Sequence, residues 1–268
     1  MSTAAAEQWG RRRLVRTLLG VALAGLLLLG GLGYAVYSAI VSTKATPSTP
    51  DRMRAVEQLP PGQGRRDTIA AAPMLAVPPE AGSSGVPAAS PGPTITIPTP
   101  ARVGPSDVPT GFPHTPVGAV GQLAAVDVAV LQSMSIARAH QVHGDWAHPE
   151  APPAPEWVLT ANIQAFLASK AGQSSRASVV VTPVAAQVKG IDGSDWVLAC
   201  VLFDVKAQAA TTARIAYGHC ERMLWSGDRD TGRWIIAPGP APARAPSTWP
   251  GTDLARQAGW SDWITTQQ

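Results

Sequence analysis

An uncharged run near the N-terminus constrains this chain more than any other feature. Residues 17–41 contain 25 positions without a charge, most of them Leu, Ala, Val or Gly. As a helix the run is ~37 Å long, enough to cross a hydrocarbon core of about 30 Å with some tilt. A cleaved signal peptide is the alternative, but its apolar region would cover only about 7–15 residues before a small-residue cleavage site. We therefore predict an uncleaved transmembrane helix over 17–41.

The charges beside this run predict its orientation. Four arginines precede the run, and its other flank carries Lys44. The four are Arg11, Arg12, Arg13 and Arg16. Because basic flanks stay in the cytoplasm, residues 1–16 are predicted to be a cytoplasmic tail of a single-pass protein of the cell membrane, and the C-terminal domain is predicted to lie outside.

The net charge argues against a nucleic-acid surface. The chain carries +3 overall, and residues 1–41 alone account for that value with four Arg and one Glu. Residues 42–108 are close to neutral, and residues 109–268 carry eleven basic and twelve acidic side chains. The basic character therefore reflects membrane topology, and no direct nucleic-acid partner is expected.

Residues 42–108 differ from the rest in composition. They are rich in Pro, Ala, Gly, Ser and Thr and contain no aromatic side chain. Such a segment offers little apolar surface to offset the loss of chain entropy, so a disordered, semi-stiff linker is predicted. The stretch "TITIP" at 94–98 could form a short strand, but two apolar residues do not make a core.

Residues 109–268 are predicted to form one extracytoplasmic domain. Apolar residues at helical spacing give way to alternating, strand-like patterns after residue 177. Thr115 is placed to cap the first helix, with Pro116 as its first residue. The predicted elements are helices over 116–141, 154–171 and 253–264, and strands over 178–189, 195–207, 213–225 and 232–238. This order favours an α+β fold in which the N-terminal helices pack on a curved antiparallel sheet.

The two cysteines of the chain fall on the two strongest strands. A hairpin turning near Ala210 sets Cys200 opposite Cys220, and the same register pairs Phe203 with Tyr217 on the other face. Opposed Cα atoms lie ~4.5 or ~5.5 Å apart, within the reach of a disulfide, which an oxidising location would preserve. If the register slips by one residue, two buried thiols remain.

Candidate catalytic and metal sites are weak. His140, His143 and His148 are interrupted by a glycine and followed by a proline, so a polar helix end running into a loop competes with a metal site. The remaining aspartates sit in glycine-containing turns, where carboxylates bond local backbone groups. No nucleophile elbow, phosphate loop or dinucleotide motif occurs. We predict no enzyme, no metal and no cofactor.

The tryptophans near the C-terminus have two competing interpretations. Trp249, Trp260 and Trp263 either seal the open end of the sheet or meet a partner. His114, in "GFPHTP", is either a surface spacer or a functional group.

Four stretches together resemble a known group of proteins. They are "GFPHTPVGA" (111–119), "TTARIAYGHCERMLW" (211–225), "APSTWPGT" (245–252) and "AGW" (258–260). They resemble actinobacterial membrane-anchored proteins of conjugative and mobile elements. The layout is also similar to bitopic assembly subunits of type IV secretion, whose outer domain has a nuclear transport factor 2-like fold.

The resemblance implies a non-enzymatic scaffold of a conjugation or secretion-type envelope complex. Its partners would be other envelope-spanning secretion proteins, the membrane and a second copy of the chain. The alternative is an extracytoplasmic binding module whose sheet encloses a lipid or cell-wall ligand.

Overall fold

Long antiparallel strands form the centre of the protein. The computed structural model describes residues 59–169, 178–208 and 212–266, all within one unit that begins at Leu59. The strands are β1 (Thr94–Ile97), β2 (Arg102–Val103), β3 (Pro109–Thr110), β4 (Ser178–Asp192), β5 (Trp196–Gln208), β6 (Thr212–Ser226), β7 (Arg233–Ile236) and β8 (Ser261–Thr265). The α-helices are α1 (Gln63–Ala71), α2 (Pro116–Leu131), α3 (Ile136–Trp146), α4 (Val158–Ala168) and α5 (Asp253–Gln257).

Six of these strands form one curled sheet of order β1-β8-β4-β5-β6-β7. Strands β4 to β7 make an antiparallel meander, whereas β1 pairs with β8 in parallel. Strand β4 contains register shifts between Pro183 and Ala185 and between Val188 and Gly190. Such bulges bend a strand and increase its twist, which favours the curl. The coarse α+β prediction is therefore confirmed.

Helices α2, α3 and α4 cover one face of the sheet. Helix α2 is apolar and begins as predicted, because the Thr115 hydroxyl accepts a hydrogen bond from Gly118 N at 3.2 Å and Pro116 is its first residue. Its buried Leu123 packs in the same cluster as Val201 and Phe203 of β5. We call this side of the sheet the helix face.

The opposite side of the sheet, the outer face, carries a second apolar cluster. Cys200 and Leu202 of β5 lie there with Cys220 of β6. Two segments distant in sequence cover it, residues 62–88 and 240–260. They also bond to each other, since Ala243 N donates to Ala70 O at 2.9 Å and Trp249 N donates to Ala81 O at 2.6 Å. We call these two segments the outer cover.

The prediction of a disordered linker over 42–108 is wrong for residues 59–108. This part contains α1, β1 and the two-residue strand β2, and Ile69, Ala70 and Ile97 are buried. The low apolar content of the segment predicted disorder because such a segment cannot form a core of its own. In the structure it docks instead against a sheet whose outer face is already apolar. Residues 42–58 lie outside the described residues.

Buried charges fix α1 on the sheet. Asp192, at the end of β4, accepts hydrogen bonds from Gly62 N at 3.1 Å and from Arg66 Nε at 2.7 Å. Arg222 of β6 is buried, donating to Asp67 Oδ1 at 2.7 Å. These contacts join α1 to strands β4 and β6 of the meander.

Three predicted helices have different bounds. The helix predicted over 116–141 is two helices, because residues 132–135 form a turn in which Ser135 caps α3 and Met134 has a φ of 43°. The helix predicted over 253–264 ends at Gln257, and Gly259, at a φ of 88°, leads into β8. The helix predicted over 154–171 begins with a 3-10 turn, and α4 ends at Ala168.

No helix within the described residues is long and apolar enough to cross a membrane. The predicted transmembrane helix over 17–41, with the four arginines before it, lies outside those residues.

Candidate functional site

A single carboxylate interrupts the apolar surface of α2. Asp127 is the one ionisable residue of this helix, and its side chain is fully buried. Its Oδ2 lies 2.7 Å from Nδ1 of His219, which is only 4% exposed. A buried carboxylate at this distance holds the imidazole in one orientation, with Nδ1–H donating and Nε2 directed away from the helix.

Strand β6 places three polar side chains in a row. Tyr217, His219 and Glu221 occupy alternate positions, and alternate residues of a strand project to the same face. All three lie on the helix face, opposite the face that carries Cys220. The Tyr217 and His219 rings are stacked with their centroids 6.1 Å apart.

Hydrogen bonds hold both ends of this row, one from a residue of α4 and one from the residue that precedes α4. Glu221 Oε2 accepts a hydrogen bond from Trp157 Nε1 at 3.0 Å. Tyr217 Oη accepts one from Asn162 Nδ2 at 2.7 Å. Side chains held by such partners keep their rotamers, so the row is preorganised.

Glu221 and His219 approach each other without bonding. His219 Nε2 lies 3.8 Å from Glu221 Oε2, beyond hydrogen-bond distance, and has no hydrogen-bond partner among the described residues. A buried polar nitrogen left in this way is unfavourable unless something else satisfies it.

Burial and mutual charge shift the ionisation of this set. Burial raises the pKa of Asp127, although His219 lowers it in part, and burial also raises the pKa of Glu221. Burial alone would lower the pKa of His219, but the charge and hydrogen bond of Asp127, with the charge of Glu221, raise it above its ordinary value. Burial and both carboxylates raise the pKa of Tyr217, which stays a neutral phenol. Asp127, His219 and Glu221 therefore share protons as a coupled group.

The row lines a cavity of about 500 Å³. Its other walls are the start of α4 and residues 236–247, which continue from β7 into the outer cover. Most of this wall is apolar or aromatic, as in Trp157, Ile236 and Pro242. A cavity of this size, apolar with a few convergent polar groups, is typical of small-molecule sites.

The predicted disulfide is confirmed. Cys200 and Cys220 are bonded, with their Cα atoms 4.0 Å apart, and they are directly opposed in the register that the hairpin predicts. The same register pairs Phe203 with Tyr217. Because Cys220 lies between His219 and Glu221, the disulfide fixes the strand that carries the site.

The three C-terminal tryptophans do not form one surface. Trp260 is 2% exposed and donates from Nε1 to Pro246 O at 3.1 Å, so it belongs to the protein's own core. Trp249 is half-buried, and the guanidinium carbon of Arg214 lies over its ring, 4.6 Å from the ring centroid. Trp263 is half-buried on β8 and packs against the helix-face cluster.

The predicted histidines have separate environments. His114 stacks on Trp225 with centroids 4.3 Å apart, and its Nε2 lies 2.8 Å from Asp195 Oδ1, so it joins two loops. His143 is buried against Trp157 at the cavity wall, where burial and the neighbouring His140 lower its pKa. No group of three or more His, Cys, Asp or Glu side chains in the described part of the chain is placed to hold a metal ion.

Sequence reasoning missed the four residues at the centre of the site. A signal for each was present. Asp127 is a lone charge in an apolar helix, and Tyr217, His219 and Glu221 alternate along a strand whose register was predicted correctly. A buried charge requires a partner, so these two patterns could have been matched to each other.

Comparison of the chain with protein-family models, with curated proteins and with solved structures finds no match.

Proposed function

We propose that this protein is a membrane-anchored binding module that encloses a small organic ligand of lipid or cell-wall origin in the cavity beside β6. The observation that carries the proposal is the polar row of Tyr217, His219 and Glu221 in a cavity of about 500 Å³ whose other walls are mostly apolar. Buried polar groups are costly, and a ligand that bonds to them offsets that cost. No bond-breaking step is part of the proposal.

The proposed location is outside the cytoplasm, with residues 17–41 as the anchor. The disulfide between Cys200 and Cys220 supports this, because such bonds persist in oxidising compartments and are rare in the cytosol. The curled sheet with helices on one face and a cavity beside β6 also supports a nuclear transport factor 2-like fold, which is part of the same proposal.

Native mass spectrometry of the full-length protein, released from detergent micelles, tests the binding function. We expect a retained small molecule in the wild type. Ala243→Trp places an indole in the cavity wall and should abolish retention, while Ala213→Trp, at an exposed position of β6 outside the cavity, should not. Circular dichroism of both variants checks that they fold. A wild-type protein that retains nothing after preparation from its native envelope contradicts the proposal.

A second candidate function rests on the four stretches that resemble proteins of conjugative elements. Three of them fall on β6 and on the outer cover, so a scaffold in a conjugation or secretion-type envelope complex would use this side of the domain. Deleting the gene from its element and measuring transfer frequency tests it, and undiminished transfer contradicts it. A transfer defect that Ala243→Trp reproduces would link the two functions.

A further inference from the structure

We infer that the ligand carries a neutral hydroxyl group, which binds between Nε2 of His219 and Oε2 of Glu221, on an apolar body. The inference rests on the proposed binding function and names the chemical class that the same cavity would take, an apolar alcohol or phenol.

The spacing of the two atoms suits a single bridging oxygen. They lie 3.8 Å apart. An oxygen placed about 2.8 Å from each would lie within hydrogen-bond distance of both at once. His219 is one of the residues that line the cavity, and its Nε2 is buried and has no hydrogen-bond partner in the described part of the chain.

The protonation of the pair favours a group that both donates and accepts. Nδ1 of His219 faces Asp127, so only Nε2 is left to face a ligand. If the imidazole is charged, Nε2–H donates and the Glu221 carboxylate accepts. If Glu221 holds the proton instead, its O–H donates and Nε2 accepts. In both states the site offers one donor and one acceptor, and a hydroxyl matches both.

Charged groups match this position less well. An anionic ligand would meet the buried carboxylates of Asp127 and Glu221, and like charges repel strongly where water is excluded. An ammonium group has only donors, so it could not accept from Nε2–H of a charged imidazole. A ketone or ether has only acceptors, so it could accept from the donor of the pair but could not donate to its acceptor.

The rest of the cavity indicates an apolar body. Side chains around the polar row include Trp157, Val158, Ile236, Pro242 and Ala245. Arg244, His143 and Glu156 are the other ionisable groups of the lining. Arg244 and Glu156 are exposed, and His143 is buried against Trp157, so none of them replaces the His219–Glu221 pair.

Two matched probes test the inference, 1-indanol and 1-indanone, which differ in having a hydroxyl or a carbonyl oxygen. Each is titrated into the full-length protein in detergent, and binding is followed by the NMR signal of the Trp157 indole N–H, which donates to Glu221. We expect 1-indanol to bind about tenfold more tightly, because the ketone leaves one charged or polar partner unpaired.

A variant of the site sharpens the test. Glu221 accepts from Trp157 through Oε2 and from Arg222 N through Oε1, so Glu221→Gln removes the charge and one of these two acceptors. A ligand hydroxyl then no longer meets a carboxylate, and the preference for the alcohol should fall to about twofold or less. Glu150→Gln, an exposed substitution outside the cavity, should leave the preference unchanged.

Each remaining outcome contradicts a different statement. Equal binding of the two probes, or a retained native molecule without a hydroxyl, overturns the inference while the binding function stands. If neither probe binds and native mass spectrometry finds nothing retained, the binding function itself fails and the inference with it.

Discussion

At the scale of single residues, the contact between Asp127 and His219 is the most consequential in the domain. Both side chains are buried, and they lie 2.7 Å apart. If one member of such a pair is removed, the other stays buried without a partner and without water to solvate it. Replacing both with apolar groups removes the problem together with the interaction.

We therefore predict that Asp127→Ala lowers the free energy of unfolding by about 3 kcal/mol. The double variant Asp127→Leu, His219→Phe should recover most of that loss, because no polar group is then left unpaired. Urea unfolding followed by circular dichroism measures both. A double variant that loses as much as the sum of its two single variants would show that the pair is not coupled.

The same residues predict a pH dependence. The folded protein raises the pKa of His219 above its ordinary value of 6.5, so the stability it gains is complete below that pH and is lost as the pH rises through the folded pKa. Asp127 and Glu221 act in the same direction, because their pKa values are also raised. The free energy of unfolding should thus decrease from about pH 6.5 to pH 8.

His219→Gln provides the comparison for this prediction. Its side chain can still donate to Asp127 but does not titrate, so the decrease should be shallower. The range stops at pH 8 because burial lowers the pKa of Lys189 to about 8, and above that pH its deprotonation stabilises the fold and opposes the trend. Equal slopes in the two proteins would exclude His219 as the source.

At the scale of elements, the β5–β6 hairpin connects the disulfide with the site. Cys220 packs in the apolar cluster of the outer face, whereas its neighbours His219 and Glu221 lie on the helix face, and all three line the cavity. The covalent bond thus restrains the one strand that presents the polar row.

Replacing both cysteines by alanine should lower the free energy of unfolding by about 3 kcal/mol, since the bond closes a loop of 20 residues. Protein prepared from its native envelope should take up no alkylating label at Cys200 or Cys220 until it is reduced. Labelling without reductant contradicts the bonded state. Ala213→Ser, at an exposed position of β6, is a control for substitution in the hairpin itself and should leave the free energy of unfolding nearly unchanged.

The sequence predicted this hairpin better than it predicted the helices. Two long strands of alternating pattern leave one register that opposes both cysteines, and that register is observed. The break between α2 and α3 was missed because no Gly or Pro marks it. Two serines mark the break less clearly than a Gly or Pro would. Ser133 Oγ donates a hydrogen bond to Val130 O at 2.7 Å, and Ser135 caps the start of α3.

At the scale of the whole molecule, the folded unit begins about 50 residues earlier than the sequence indicates, at Leu59. Composition measures what a segment can bury by itself, and residues 59–108 bury little by themselves. They order because the outer face of the sheet supplies the apolar surface, and because buried Asp192 and Arg222 supply the charges. Because these partners are far away in sequence, the composition of residues 59–108 alone could not predict that the segment is ordered.

Limited trypsin digestion of the detergent-solubilised protein should therefore yield a stable fragment that retains α1. Arg65 and Arg66 should resist cleavage, because Asp192 holds Arg66 through a hydrogen bond and lies 3.8 Å from Arg65 Nε. Asp192→Asn should expose both sites, whereas Asp230→Asn in an exposed turn should not. Rapid cleavage at Arg65 in the wild type contradicts the docked arrangement.

The pairing of β1 with β8 has a consequence for the order in which the domain assembles. Ile95 lies beside Trp263, so this edge of the sheet joins residues from almost opposite ends of the unit. Contacts between distant parts of a chain form slowly, whereas the β5–β6 hairpin needs only local closure. During synthesis or export the meander can form first, but its edge and outer cover must wait for the C-terminal residues to emerge. A ribosome-stalled or truncated chain ending before Ser261 should therefore expose the β4 edge and aggregate.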